Sequence, residues 1–108
     1  MTQNISPQEA YAKIAHGDAY GVDVRESEEW VAGHAAGVTW NPLTNFMGAA
    51  LPSDKPLIFI CRSGNRSARV CQALTTTRPD IFNMTGGMQA WQAAGLPMVS
   101  DLGNPRVA

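Results

Sequence analysis

The chain has 108 residues, 44% hydrophobic and 16% charged, which suits one domain with a buried core and leaves no room for a second. A formal net charge of −1 argues against nucleic acid as a partner, and no window approaches the ~20 apolar residues needed to cross a bilayer, so no membrane partner is expected. Two cysteines are too few for the disulfide framework of a small secreted domain, and Met1 to Glu9 lacks the basic and apolar regions of a signal peptide, so the expected location is cytoplasmic.

Ser6-Pro7-Gln8-Glu9 is a capping box with proline at the first helical position, and it predicts a helix that turns Ala10 and Ile14 inward and ends near Gly17. Tyr20 to Val24 reads as a strand. The acidic run Glu26, Ser27, Glu28 and Glu29 then suits the positive end of a second helix, which stops at Gly33-His34. Gly37 to Pro42 predicts a short strand closed by a turn, and Leu43, Phe46, Met47, Ala50 and Leu51 fit one face of a short helix. Leu57-Ile58-Phe59-Ile60 is apolar at every position, the pattern of a central parallel strand covered on both faces.

Directly after that strand comes Cys61-Arg62-Ser63-Gly64-Asn65-Arg66-Ser67, followed by a helix expected to begin near Ser67 with Ala68, Cys71 and Leu74 on its inner face. A thiol between a strand end and a helix N-terminus sits where free backbone N–H groups favour negative charge, which lowers its pKa and makes it a nucleophilic thiolate. Arg62 and Arg66 add positive charge, Ser63, Asn65 and Ser67 add short polar groups, and Gly64 permits a tight, left-handed turn. Three of the eight basic residues, Arg62, Arg66 and Arg69, fall between positions 62 and 69. Arg66 is expected to point partly inward and Arg62 outward, and either could bind an anionic group. Arg69 is expected to be solvated.

After Arg78-Pro79-Asp80, Ile81 to Met84 reads as a last strand, Thr85-Gly86-Gly87 as a turn, and the following stretch as a helix through Trp91, ended by Gly95 and Pro97. The alternation of strand and helix predicts an α/β sandwich with a mainly parallel sheet, whose ligands bind at the carboxyl ends of the strands, where Cys61 lies. A single domain is expected over residues 1–99, with residues 100–108 as a C-terminal tail that is flexible or lies over the surface.

These residues resemble the rhodanese domain of sulfurtransferases. The likeness rests on four blocks: Asp23-Val24-Arg25-Glu26 with Glu29; Gly33-His34 and Gly37 leading to Asn41-Pro42; the Cys61 to Ser67 loop; and Thr85-Gly86-Gly87 with Trp91, Gly95 and Pro97. The resemblance implies a three-layer α/β/α sandwich with a five-stranded parallel sheet. It implies Cys61 as the catalytic residue, carrying sulfane sulfur as a persulfide in a ping-pong reaction within the cradle Arg62 to Ser67. The implied partners are a small anionic donor such as thiosulfate and a thiol or cyanide acceptor, with no metal or organic cofactor. The chain departs from the family at Thr75 to Asp80, which lacks the glycine many relatives place there, and at Met84, commonly an aliphatic position.

Two rival readings differ in chemistry. A sulfur-relay or regulatory module would pass its persulfide only to a protein partner. A small cysteine phosphatase or arsenate reductase would need five residues between cysteine and arginine, whereas Cys61 and Arg66 are separated by the four residues Arg62 to Asn65. Cys71 is read as a small core residue. Asp23 and Arg25, with Glu26 and Glu29, are read as ion-pairing support near the site rather than an acid/base set. His34 and His16 are expected to interact with helix-end carbonyls, and Trp30, Trp40 and Trp91 to be packing residues rather than a stacking platform. Two distant histidines and no close cysteine pair make a zinc site unexpected.

Overall fold

A computed structural model describes residues 2–108. In chain order its elements are β1 Gln3–Ile5, α1 Pro7–Ala15, β2 Tyr20–Asp23, α2 Ser27–Ala32, β3 His34–Ala35, β4 Thr39–Trp40, β5 Leu57–Ile60, α3 Asn65–Leu74, β6 Ile81–Met84, α4 Gly87–Ala93 and β7 Met98–Val99. Five strands form one sheet in the order β1-β6-β5-β2-β4, and every pairing in it is parallel. The chain is thus the expected α/β/α sandwich.

The central strand β5 explains the layering. Successive side chains of a strand point to opposite faces, so Ile58 and Ile60 pack with Ala10 of α1 and Met88 and Trp91 of α4, while Leu57 and Phe59 pack with Cys71 of α3. All four β5 residues are fully buried, each contributing about 1.5–3 kcal/mol of apolar burial. The entry into α1 also follows the sequence reading: Ser6 Oγ accepts the Glu9 N–H at 3.1 Å, Pro7 opens the helix, and Gly17 leaves it with φ +75°.

Several expectations need correction. Residues 43–51 form two 3₁₀ turns, Leu43–Asn45 and Gly48–Ala50, instead of one short helix, although Leu43, Phe46 and Leu51 still cover the α3-side core. The helix after the cysteine loop begins at Asn65, two residues before Ser67, so the last three residues of the loop lie in its first turn. Strand β1 and the antiparallel pair β3–β7 were not expected, so Ile81–Met84 is the last strand of the parallel sheet but not of the chain. Trp91 is fully buried, as expected, and its Nε1–H donates to the Pro97 carbonyl at 2.9 Å. Trp30 is half-buried and packs, as expected, in a stack with the His34 ring at 3.4 Å and the Trp40 ring at 5.9 Å, whereas Trp40 is itself exposed. His34 Nδ1 also lies 2.8 Å from the Trp30 carbonyl, the helix-end contact expected of it, whereas His16 is exposed.

Residues 100–108 pack back onto α2. The Arg106 N–H donates to the Ala32 carbonyl at 3.0 Å, Ser100 Oγ–H donates to the Val31 carbonyl at 2.9 Å, and Val107 covers the core beside Trp91. Gly33 permits this approach, because a Cβ there would lie 2.4 Å from the Arg106 carbonyl oxygen.

Candidate active site

Cys61 follows the last residue of β5, at the carboxyl edge of the sheet and at the head of α3. Its sulfur accepts the Gly64 N–H at 3.0 Å and lies 3.3 Å from Ser67 Oγ. Burial pushes the thiol pKa up, but the Ser67 hydroxyl and the backbone N–H groups of Ser67, Gly64 and Ser63 outweigh it, and the net shift is downward. The arrangement therefore holds an anion on sulfur without a lysine or histidine. Cys61 has no solvent-exposed surface, while Arg62, Ser63 and Asn65 beside it in the chain are exposed.

Two glycine features make the curled loop possible. Gly64 has φ +99°, and its position is closely faced by the backbone of Gly86 and Met84. Gly87 has φ +56°, and a Cβ there would fall 2.4 Å from the Cys61 carbonyl oxygen and 2.6 Å from the Arg62 carbonyl. With that space open, the first turn of α4 grips the loop from behind: the Met88 N–H donates to the Cys61 carbonyl at 2.8 Å and the Gln89 N–H to the Arg62 carbonyl at 3.0 Å. Carbonyls drawn towards α4 leave the loop N–H groups turned towards the sulfur. Sequence reading took Gly86-Gly87 as a turn only and missed this support.

The remaining loop residues divide clearly. Arg66 is half-buried and forms a two-pronged ion pair with Glu29, at 2.8 and 2.7 Å, which raises the arginine pKa and holds the Glu29 carboxyl below its usual range. Arg62 points outward, its Nε–H donating to the Ala108 carbonyl oxygen at 2.9 Å. Asn65 and Arg69 are exposed. Asp23 and Arg25 form a fully buried ion pair at 2.9 Å; Arg25 Nη2–H also donates to the Gly33 carbonyl at 2.7 Å, and Trp40 Nε1–H to the Arg25 carbonyl at 2.8 Å. This pair clamps the turn between β2 and α2, the element that presents Glu29 to Arg66.

Ser67 introduces a residue that the sequence reading did not single out. Its Oγ is 2.5 Å from Asn83 Oδ1, on the neighbouring strand β6, and both residues are buried. The only signal in the sequence is a polar residue inside the otherwise apolar Ile81-Phe82-Asn83-Met84. Cys71 sits on the core face of α3, and burial, with the nearby Cys61 charge, pushes its pKa up to about 12. Neither cysteine is in a disulfide. Among the described residues no group of three His, Cys, Asp or Glu side chains is placed to hold a metal, and no helix is long and apolar enough to cross a membrane.

The Rhodanese-like domain family model matches residues 6–94. The chain is 37% identical over 83 residues, 74% of its own length and 80% of the relative's, to the Bacillus subtilis protein named "Putative sulfurtransferase YtwF". Its fold is similar to the crystal structure of a rhodanese-related protein from Thermoplasma volcanium, with a TM-score of 0.82 and 30% identity, covering 90% of this chain and 97% of that one. It also superimposes on a part of a thiosulfate sulfurtransferase from Pseudomonas aeruginosa, with a TM-score of 0.80 over 93% of this chain and 20% of that one; at 20% identity this likeness concerns the fold alone.

Proposed function

The chain belongs to the rhodanese-like domain family, and from that membership we propose that it is a sulfurtransferase that carries sulfane sulfur as a persulfide on Cys61. The observation that carries this reading is the Cys61 sulfur held at the head of α3 by the Gly64 N–H at 3.0 Å and the Ser67 hydroxyl at 3.3 Å. In the first half-reaction the Cys61 thiolate attacks the outer sulfur of thiosulfate; a new S–S bond forms, the old one breaks and sulfite departs with its electron pair. In the second, a thiophilic acceptor such as cyanide attacks the outer sulfur of the persulfide, leaves as thiocyanate and restores the thiolate. The charge is on Cys61 Sγ before the first half-reaction and returns to it after the second, the persulfide between them carrying it on the outer sulfur, so the donors around Sγ serve the attacking thiolate of one half-reaction and the departing thiolate of the other.

One observation favours a second reading, in which the sulfur comes from or goes to a protein. Arg66 is engaged at both its Nη groups by Glu29, and Arg62 is turned outward with its Nε–H on the Ala108 oxygen, so a small dianion must compete with Glu29 for the inner guanidinium. A protein donor would bring its persulfide without needing a free guanidinium. Phosphatase or arsenate chemistry is disfavoured by the four-residue span from Cys61 to Arg66 and by Glu29, whose ion-paired carboxylate is poorly suited to protonate a leaving group. The free thiols fit a reducing cytoplasm.

Intact-mass measurement of wild type, Cys61→Ser and Cys71→Ser after thiosulfate and then cyanide tests the proposal. Wild type and Cys71→Ser should gain one sulfur atom that cyanide removes, while Cys61→Ser gains none. Sulfur gained only from a persulfidated protein donor would establish the relay reading; no gain from either source would overturn both.

A further inference from the structure

The Ser67 hydroxyl has one proton, yet two acceptors compete for it: Asn83 Oδ1 at 2.5 Å and Cys61 Sγ at 3.3 Å, with the Gly64 carbonyl more distant at 3.4 Å. While Cys61 is a neutral thiol the arrangement is self-consistent, because S–H can donate to Ser67 Oγ and Ser67 can donate onward to Asn83. Ionisation sends the thiol proton to solvent and leaves sulfur as an acceptor only. The Ser67 proton must then turn to sulfur, and Ser67 Oγ is left facing an acceptor oxygen at 2.5 Å unless the Asn83 amide presents its other end. An amide is nearly the same shape with its oxygen and nitrogen exchanged, so a half-turn about the last side-chain bond converts Asn83 from acceptor to donor with little repacking.

The next group along the chain allows that half-turn. Asn83 Nδ2 lies 3.4 Å from the Oδ1 of Asn4, a residue on β1 that is exposed and free to turn its own amide in step. We propose that Asn83 is a positioning residue for Cys61: it acts through Ser67, reversing a buried hydrogen-bond chain so that Asn83 donates to Ser67 and Ser67 donates to the anionic sulfur of the thiolate. Asn83 touches neither sulfur nor donor. Its role follows from its register on β6, where Phe59↔Asn83 pairing sets it beside the strand that leads into Cys61.

The inference rests on the proposed function only in taking Cys61 as the reacting thiol, and its test uses no sulfur donor, so the two fail separately. Thiolate ultraviolet absorbance is followed against pH in wild type, Asn83→Ala, Asn83→Asp, Ser67→Ala and the two double variants. Cys71, with its pKa pushed up to about 12, does not titrate in the window read. Asn83→Ala removes the donor behind Ser67 and should raise the Cys61 midpoint by roughly half a unit to one unit. Asn83→Asp keeps the shape but is acceptor-only when ionised and should raise it at least as far. Combined with Ser67→Ala, Asn83→Ala should add nothing, and the Asn83→Asp shift should shrink to what its charge alone exerts. If Asn83→Ala does not fold, the near-isosteric Asn83→Asp carries the comparison. An unmoved midpoint, or a shift of the same size with and without Ser67, overturns the proposal.

Discussion

At Cys61 two effects oppose each other: burial favours the neutral thiol, and the Ser67 hydroxyl with the N–H groups of residues 63, 64 and 67 favours the thiolate and prevails. An unperturbed thiol ionises near 8.5, so the pH profile of kcat/KM should fall on the acid side through a midpoint below about 8.5; a midpoint above that value would mean that the donors do not outweigh burial. The thiolate correspondingly stabilises the fold above the unfolded pKa, and that contribution is lost as pH falls through the lowered folded one. Cys71 has the opposite sign. Its pKa is about 12 in the folded chain, so above about 8.5 the unfolded chain releases a proton that the folded chain keeps, and stability falls as pH rises. Cys71→Ala should therefore lose less Tm than wild type between pH ~8 and ~10, which thermal melts across that range will read. The difference between the two thiols was legible from their places, one in a polar loop and one in an apolar helical stripe. The part played by Asn83 was not, because no local pattern says which residue of strand β6 will face Ser67.

The contacts between elements decide whether the loop keeps its curl. Gly87 at φ +56° stands against the Cys61 carbonyl, so Gly87→Ala should push α4 from the loop and remove the Met88 and Gln89 hydrogen bonds. With about 1–2 kcal/mol for the left-handed backbone and more for the clash, stability should drop by at least ~2 kcal/mol in urea unfolding, and sulfur transfer should fall about 100-fold or more in steady-state assays. The turn between β2 and α2 depends on the Asp23–Arg25 pair, both fully buried. Arg25→Met strands the Asp23 carboxylate and should cost about 3–5 kcal/mol, and adding Asp23→Asn should recover part of that loss in the same urea titration. The family blocks located both glycine and ion-pair positions in the chain. Pairing of Arg25 with Asp23 was expected and is found, but the partners of Gly87 and the further contact of Arg25 were not identified, because Gly87 answers to Cys61 and Arg25 also to Gly33, residues brought close only by folding.

Across the whole molecule, the parallel sheet brings the cysteine loop to the carboxyl edge while α1 and α4 cover one face and α3 the other. Residues 100–108 add to this cover, holding α2 through the Arg106 to Ala32 hydrogen bond and packing Val107 against the core cluster that contains Trp91. Removing residues 100–108 should lower stability by about 1–2 kcal/mol, read as a drop in Tm, while the Cys61 sulfur loading by thiosulfate persists, since this segment meets the loop through a hydrogen bond to the exposed Arg62 rather than at the sulfur.

The sequence by itself determined the alternation of the longer strands and helices, the centrality of β5, the entry into α1 and the place of Cys61 between a strand end and a helix. Each of these is written in a local pattern: an unbroken apolar run, a capping box, a cysteine between strand and helix. Strand β1 was not legible, because Gln3-Asn4-Ile5 has a single buried apolar residue and owes its strand form to β6, whose Asn83 is 79 residues from Asn4. The two-residue strands β3 and β7 and the turns of residues 43–51 are likewise too short to show a period. Only the tertiary structure decided which groups stabilise the sulfur anion from behind, which acid holds Arg66 and what lies against Gly33, because Asn83, Gly87, Glu29 and Arg106 meet their partners across the fold, where hydrogen-bond geometry and close packing, rather than spacing along the chain, select the contact.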